Sequence, residues 1–106
     1  MYKFVFLVPK SHLQKVKNAI FKVISSPYDK YDNCCYQNKV IGQFRPLEGS
    51  NAFIGEKGSI TYVREYKVEL LIGDKEELEK VISVMRKVHP YESPAYEAWE
   101  LSHYGF

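Results

Sequence analysis

The residues best suited to chemistry are gathered in a short stretch, His89-Pro-Tyr-Glu-Ser-Pro-Ala-Tyr96. It places an imidazole, a phenol and a carboxylate at the junction between a predicted helix and a predicted strand. His89, Tyr91 and Glu92 could bind a ligand or form an acid–base cluster. The structural alternative is that His89 caps a helix, Tyr91 packs and Glu92 pairs with a lysine. The sequence favours this alternative for His89 alone and leaves the two interpretations balanced for the whole cluster.

A second stretch, Phe44-Arg-Pro-Leu-Glu-Gly-Ser-Asn-Ala-Phe-Ile-Gly55, mixes turn-forming residues with apolar ones. Arg45 could hold a phosphate or carboxylate with its planar guanidinium. Gly49 and Gly55 of the same stretch would let backbone N–H groups approach an anion. The alternative, slightly favoured, is an internal pair between Arg45 and Glu48 that only shapes the loop. No Walker-type Gly-Lys-Ser/Thr is present, so phosphate binding is weakly indicated. The predicted ligand-binding residues are Arg45, Glu48, His89, Tyr91 and Glu92.

The two cysteines, Cys34 and Cys35, are adjacent, which does not suit a structural disulfide. Two free thiols are typical of a reducing cytoplasm. Cys34, Cys35, His89 and Glu92 are weak metal candidates, because none of the cysteines and histidines stands at a spacing typical of zinc sites. A cysteine–histidine nucleophile pair is conceivable, but nothing in the sequence places such residues together. No metal, cofactor or catalytic residue is therefore predicted.

The composition is that of an ordinary globular domain, with 106 residues, 45% apolar and 26% charged. This length predicts one domain over residues 1–106. A net charge of +2 gives no general reason to expect nucleic-acid binding, and the aromatic pattern of RNA-binding sheets is absent. No apolar run approaches the roughly 20 residues that span a bilayer. Because Met1 leads directly into a strand pattern, we expect no targeting segment and a cytoplasmic location.

Hydrophobic periodicity predicts the order β-α-β-β-α-β. Helices are predicted to begin at Ser11 and Asp74. Each of these residues would form a capping box with the residue three positions later, Gln14 or Glu77. Gly42, inside the second strand, suggests a bulge. The predicted strands are 2–8, 34–44, 59–72 and 95–101.

The third of these strands would span roughly 45 Å, longer than two short helices can cover. We therefore expect a bend near Arg64 or an overhang that pairs with another subunit. Each helix links two strands, so both helices should cover one face of an antiparallel sheet whose central strands are the first and third. The predicted fold is an α+β, ferredoxin-like sandwich.

The two loop motifs, in this order and separated by a long strand, resemble the Nif-three-like (YqfO/YbgI) family. More narrowly, residues 1 to about 101 resemble the domain inserted between the two halves of its longer members, a domain that also occurs as a stand-alone protein. The resemblance implies a CutA/PII-like fold and a trimer. Ser93 and Ala52 depart from the family, which usually has a second Glu and often a Pro at these positions. The longer members carry a two-metal site and some are labelled GTP cyclohydrolases, but those ligands belong to the flanking halves.

These observations predict an oligomeric module, with a trimer favoured, that binds a small molecule, ion or partner protein and is not an enzyme. A metal-assisted hydrolase and a purely structural or interaction protein remain alternatives. Because the second and fourth strands lie at opposite edges, loops 44–55 and 89–94 should be too far apart to share a ligand within one chain. We therefore expect a composite cleft at a subunit interface, with Arg45 and Glu48 from one chain and His89, Tyr91 and Glu92 from the next. Replacing either Arg45 or His89 with alanine should then weaken binding and leave the fold intact.

Overall fold

The chain folds into a four-stranded antiparallel sheet with two helices, in a computed structural model that describes residues 1–105. The observed order is β-α-β-β-α-β, which confirms the predicted ferredoxin-like architecture. A single turn of 3-10 helix over Lys10–His12 precedes the first helix. The elements are β1 (Tyr2–Pro9), α1 (Leu13–Phe21), β2 (Tyr36–Phe44), β3 (Thr61–Ile72), α2 (Lys75–Val88) and β4 (Tyr96–Glu100). The strands lie in the order β2-β3-β1-β4 across the sheet.

The hydrophobic core lies between the two helices and one face of the sheet. Alternate side chains of the central strands β1 and β3 point to this face, and the apolar stripes of α1 and α2 cover them. Removing this surface from water is the main driving force for the fold. The core residues are Phe4, Phe6, Val8, Val16, Ile20, Val68, Leu70, Ile72, Leu78, Val81 and Met85.

The opposite face of the sheet carries a mixture of charged and apolar side chains. Lys3 and Glu69 form an ion pair there, with 3.8 Å between Nζ and Oε1. Toward the other end of the same face, Val5 and Glu65 are only 4% and 6% exposed. No helix of residues 1–105 covers this face, so the loops must bury it, and this is where the candidate site lies.

The helix starts agree with the sequence in one case only. The Asp74 carboxylate accepts a hydrogen bond from the Glu77 N–H (2.8 Å), as predicted, whereas the Glu77 carboxylate accepts from the Ser25 N–H at 2.7 Å. The predicted cap at Ser11 is wrong, because α1 begins at Leu13 without a side-chain cap. Ser11 lies inside the preceding 3-10 turn, where its hydroxyl lies 2.8 Å from the Nδ1 atom of the adjacent His12.

The β2–β3 hairpin extends beyond the rest of the sheet. Its register is continuous from Tyr36↔Glu69 to Phe44↔Thr61, so the predicted bulge at Gly42 is wrong. Residues 61–64 pair with β2 alone, because β1 ends opposite Glu65. The predicted overhang is thus present, while its pairing with another subunit stays a prediction.

Candidate functional site

The two loops singled out in the sequence meet within one chain. The Asn51 N–H donates a hydrogen bond to Oε1 of Glu92 at 3.0 Å. The rings of Phe44 and Phe53 lie 6.3 and 6.2 Å from the ring of Tyr91, measured between centroids. The premise that the loops are too far apart within one chain is therefore wrong: although β2 and β4 are opposite edges, the loop after β2 is long enough to reach the segment before β4. A composite cleft is not needed to bring the loops together.

His89 links the end of α2 to β1 and to Tyr91 in loop 89–94. Its ring is buried, with Nε2 at 2.6 Å from the Leu7 carbonyl oxygen, and Nδ1 faces the Tyr91 N–H at 3.1 Å. Since a carbonyl only accepts, Nε2 carries the proton and Nδ1 is the acceptor, which makes the ring neutral. Burial lowers the pKa of His89, against the opposing effect of the bond to Leu7. Both ring nitrogens thus serve the fold. His89 is also the C-cap residue of α2, but the cap is made by its backbone N–H, which donates to the Met85 carbonyl at 2.8 Å, and not by its ring.

A half-enclosed cavity of about 370 Å³ lies between the two loops and the end of the sheet. Most of its wall is apolar, and Phe44, Phe53 and Tyr91 form an aromatic side. Two of the predicted ligand-binding residues, Tyr91 and Glu92, line it. The complete lining is Leu7, Gly42, Gln43, Phe44, Pro46, Ser50, Ala52, Phe53, Ile54, Glu65, Tyr91, Glu92, Ser93 and Ala95.

Three buried polar groups belong to residues of this wall. Glu65 is 6% exposed. The hydroxyls of Ser50 and Tyr91 are buried and have no hydrogen-bond partner of acceptable geometry among residues 1–105. Burial, and after it the neighbouring Glu65 carboxylate, raise the pKa of Tyr91; this carboxylate is close to the hydroxyl, but the geometry falls short of a good hydrogen bond. The hydroxyls therefore retain unused capacity for hydrogen bonding.

Gly42 makes room for the Glu65 carboxylate. A Cβ atom at Gly42 would lie 1.8 Å from Oε1 of Glu65, far inside contact distance. The carboxylate therefore packs over the bare backbone of the neighbouring strand. This close packing, and not the predicted bulge, is what the glycine serves in β2.

The remaining predicted residues lie outside the cavity. Arg45 and Glu48 are exposed and absent from its wall. The Glu48 carboxylate lies 4.0 Å from the Lys57 ammonium, so the expected Arg45–Glu48 pair does not describe this loop. His89 stands behind Tyr91, with 4.8 Å between ring centroids. Ligand binding by these three residues stays a prediction.

Glu65 and Ser50 were not predicted as site residues. Glu65 alternates with the apolar residues of β3, a pattern that indicates a solvent-facing position. Only the strand register reveals the space for its carboxylate, because it pairs Glu65 with Val40, two residues before Gly42 on the same face of β2. Ser50 gave no signal apart from its place in the glycine-rich loop.

The cysteines lie apart from this cavity. Both thiols are free and half-buried, and Cys34 lines a separate cavity of about 210 Å³.

Within residues 1–105, no group of three or more His, Cys, Asp or Glu side chains is arranged to hold a metal ion. No helix in the same range is long and apolar enough to cross a membrane.

Comparison with curated proteins identifies relatives along almost the whole chain, although no protein-family model matches it. The chain is 36% identical over 105 residues to a protein named GTP cyclohydrolase 1 type 2 homolog from Halalkalibacterium halodurans, covering 99% of this chain and 28% of the relative. It is 34% identical over 97 residues to the protein of the same name from Bacillus subtilis, covering 92% and 26%. The chain thus spans only about a quarter of the length of these relatives.

Solved structures agree with this assignment. A Bacillus cereus protein related to NIF3 superposes with a TM-score of 0.78 at 29% identity, over 96% of this chain and 26% of that one. CutA1 from Pyrococcus horikoshii superposes with a TM-score of 0.68 at 16% identity, over 99% and 87%; at this identity the match shows the fold alone. The resemblance to the Nif-three-like family is therefore confirmed: over nearly its whole length the chain is homologous to one segment of the NIF3-related proteins, and its fold is the CutA-like form of the ferredoxin-like sandwich.

Proposed function

We propose that this chain is a binding module and that the cavity between its two loops takes a small organic molecule. One observation carries the proposal: the residues of one cavity wall include a buried carboxylate and two buried hydroxyls that make no hydrogen bond of good geometry within residues 1–105. Nearly all buried polar groups in proteins are hydrogen-bonded, and an unsatisfied one costs about 1–3 kcal/mol. A molecule bound in the cavity would supply the missing partners.

The size and the construction of the cavity support this function. A volume of about 370 Å³ falls in the range of roughly 300–1,000 Å³ that is typical of small-molecule sites. The wall is also held in place without a ligand, because the Asn51–Glu92 hydrogen bond and the ring contacts of Tyr91 join the two loops. Such a preformed site loses little conformational entropy on binding.

The cavity favours binding over the hydrolase alternative. The name GTP cyclohydrolase 1 type 2 homolog belongs to proteins of which this chain spans only about a quarter. None of the fourteen residues that line the cavity is a lysine or an arginine, so nothing in the wall could neutralise a triphosphate. The neutral His89 ring has both nitrogens engaged within the fold. These features suit recognition of a ligand better than hydrolysis of a nucleotide.

We also propose that the chain assembles, as a trimer, in the cytoplasm. Support for assembly comes from the overhanging hairpin, where Ile41 and Tyr62 are 74% and 67% exposed, and from the edge strands, which leave unpaired backbone groups. Support for the compartment comes from the two free thiols. Light scattering should give about three times the chain mass of 12.4 kDa. A monomer mass at micromolar concentration would contradict the assembly.

The binding function can be tested by recording amide NMR spectra of the full chain with a library of small organic fragments. Bound fragments should shift the amide signals of Ser50, Phe53, Glu65 and Tyr91. Ala52→Trp should abolish these shifts, because an indole at position 52 would fill the cavity.

The matched control is Ala98→Trp, since Ala98 is exposed on β4 and does not line the cavity. This variant should bind fragments like the wild type. The proposal would be wrong if no fragment shifted the cavity amides, or if both tryptophan variants bound fragments equally well.

A further inference from the structure

Glu65 is a buried carboxylate without an ionic partner. Its residue is 6% exposed, and in residues 1–105 no lysine, arginine or histidine lies within ion-pair distance of it. An ionised carboxylate that is removed from water and left unpaired is costly. A protein that keeps such a group at the wall of a cavity has a place prepared for an opposite charge.

The groups around Glu65 suit a positive charge. Phe44, Phe53 and Tyr91 line the same cavity, and the faces of aromatic rings attract ammonium groups. The free hydroxyls of Tyr91 and Ser50 can accept hydrogen bonds from an N–H donor. A second carboxylate, Glu92, also lines the cavity, with one oxygen already bonded to the backbone.

The same groups discriminate against anions. A phosphate or a carboxylate in this cavity would face two glutamates, and no lining residue carries a positive charge. Unfavourable placement of like charges is a common source of specificity. The cavity therefore selects by the sign of the charge as well as by shape.

The position of the Glu65 charge is fixed by regular structure. Glu65 lies in the central strand β3, and its carboxylate packs on the backbone of Gly42 in β2. A charge held by two paired strands does not have to be reoriented when a ligand arrives, which favours binding.

We propose that the ligand class of this cavity is a small organic cation, an alkyl- or arylalkylammonium, with Glu65 as its counter-ion. This inference rests on the proposed binding function and adds the chemistry of the ligand. The ammonium group would contact the Glu65 carboxylate from the cavity, beside the hydroxyls of Ser50 and Tyr91. The apolar body of the ligand would contact the rings of Phe44 and Phe53.

The test uses three probes that share one apolar body and differ in charge: 2-phenylethylammonium, 2-phenylethanol and phenylacetate. Their affinities for the full chain are measured by calorimetry at neutral pH and low salt. The ammonium should bind at least tenfold more tightly than the alcohol, and phenylacetate should bind most weakly. Equal affinity for all three probes would refute the cation proposal and leave the binding function standing.

Glu65→Gln removes the charge and keeps the shape. The affinity for the ammonium should fall at least tenfold, to that of the alcohol, while the affinity for the alcohol stays the same. The matched control is Glu69→Gln, on the same strand and face but paired with Lys3 outside the cavity, and it should leave all three affinities unchanged. An unchanged ammonium affinity in Glu65→Gln would overturn the proposal.

The comparison of probes on the wild-type chain decides the question even if Glu65→Gln fails to fold. The two proposals fail in different ways. If none of the three probes shifted any cavity amide, and the fragment library shifted none either, the binding function itself would be wrong. If fragments bound and the ammonium had no advantage, only the cation proposal would be wrong.

Discussion

His89 joins three parts of the chain, and its removal should destabilise the whole fold. The imidazole lies 2.6 Å from the Leu7 carbonyl and 3.1 Å from the Tyr91 N–H, and it packs against the Tyr91 ring at a tilt of 60°, with 4.8 Å between centroids. The sequence suggested that His89→Ala would leave the fold intact. The structure predicts the opposite, because the imidazole is a buried link between β1, the end of α2 and loop 89–94.

The magnitude follows from these contacts. Two hydrogen bonds have a net contribution of about 1 kcal/mol each, and their loss leaves a carbonyl and an N–H without partners, so His89→Ala should lower the free energy of unfolding by about 2–4 kcal/mol. For a chain of this length each kcal/mol corresponds to roughly 4–8 °C, so the melting temperature should fall by roughly 8–32 °C.

The same contacts predict a dependence on pH. The folded state lowers the pKa of His89, because burial disfavours the charged imidazolium. The unfolded chain therefore binds the proton more readily than the folded one, and stability rises with pH across this interval. The stabilisation is complete above the unfolded pKa of about 6.5 and is lost as pH falls toward the folded pKa, at a rate of at most about 1.4 kcal/mol per pH unit.

Urea denaturation followed by circular dichroism at pH 7.5 and 5.5 tests both statements. The matched control is His103→Ala, because His103 is exposed and its ring nitrogen Nδ1 lies 3.2 Å from the hydroxyl of the adjacent Ser102. Wild type and His103→Ala should be equally stable, and both should lose stability at pH 5.5. His89→Ala should have a lower free energy of unfolding at pH 7.5, and its stability should depend less on pH. Equal midpoints for both variants at pH 7.5 would refute the structural role of His89.

Three further predictions concern single side chains. Asp74→Ala should lower the free energy of unfolding by about 1 kcal/mol, since the Glu77 N–H loses its cap; a urea midpoint equal to that of wild type would contradict this. Gly42→Ala should displace the Glu65 carboxylate and weaken binding of 2-phenylethylammonium at least tenfold, whereas unchanged affinity in calorimetry would show that the carboxylate tolerates the methyl group. Tyr91→Phe removes a buried hydroxyl without a partner, so thermal unfolding should show equal or higher stability, by up to about 1–3 kcal/mol; a clear loss would mean that the hydroxyl is bonded to Glu65.

The sequence by itself determined the order and type of the elements. The apolar alternation of β1 and the helical stripe of α2 are local patterns with periods of about 2 and 3.6 residues, and each reports which side of its own element is buried. Asp74 marked the start of α2 for a similarly local reason, since its partner Glu77 lies three residues away. Short connections between elements of known type leave few possible topologies, so the fold followed.

The same local reasoning failed where a neighbouring element decided the outcome. Ser11 has the spacing of a cap, but a 3-10 turn places it before the helix. Gly42 has the character of a bulge residue, yet the strand is regular and the glycine makes room for a side chain of the adjacent strand. In neither case does the residue's immediate sequence contain the deciding contact.

The tertiary structure alone decided the site. Loops 44–55 and 89–94 were recognised from their residues, but their meeting depends on the path of the chain after β2, which joins Asn51 to Glu92 across 41 positions. Glu65 shows the physical reason most clearly. Its place in β3 faces away from the helices, a position that periodicity assigns to solvent, and its burial comes from loops that pack on that face. A residue's periodicity describes its own element, whereas burial depends on every segment that packs against it.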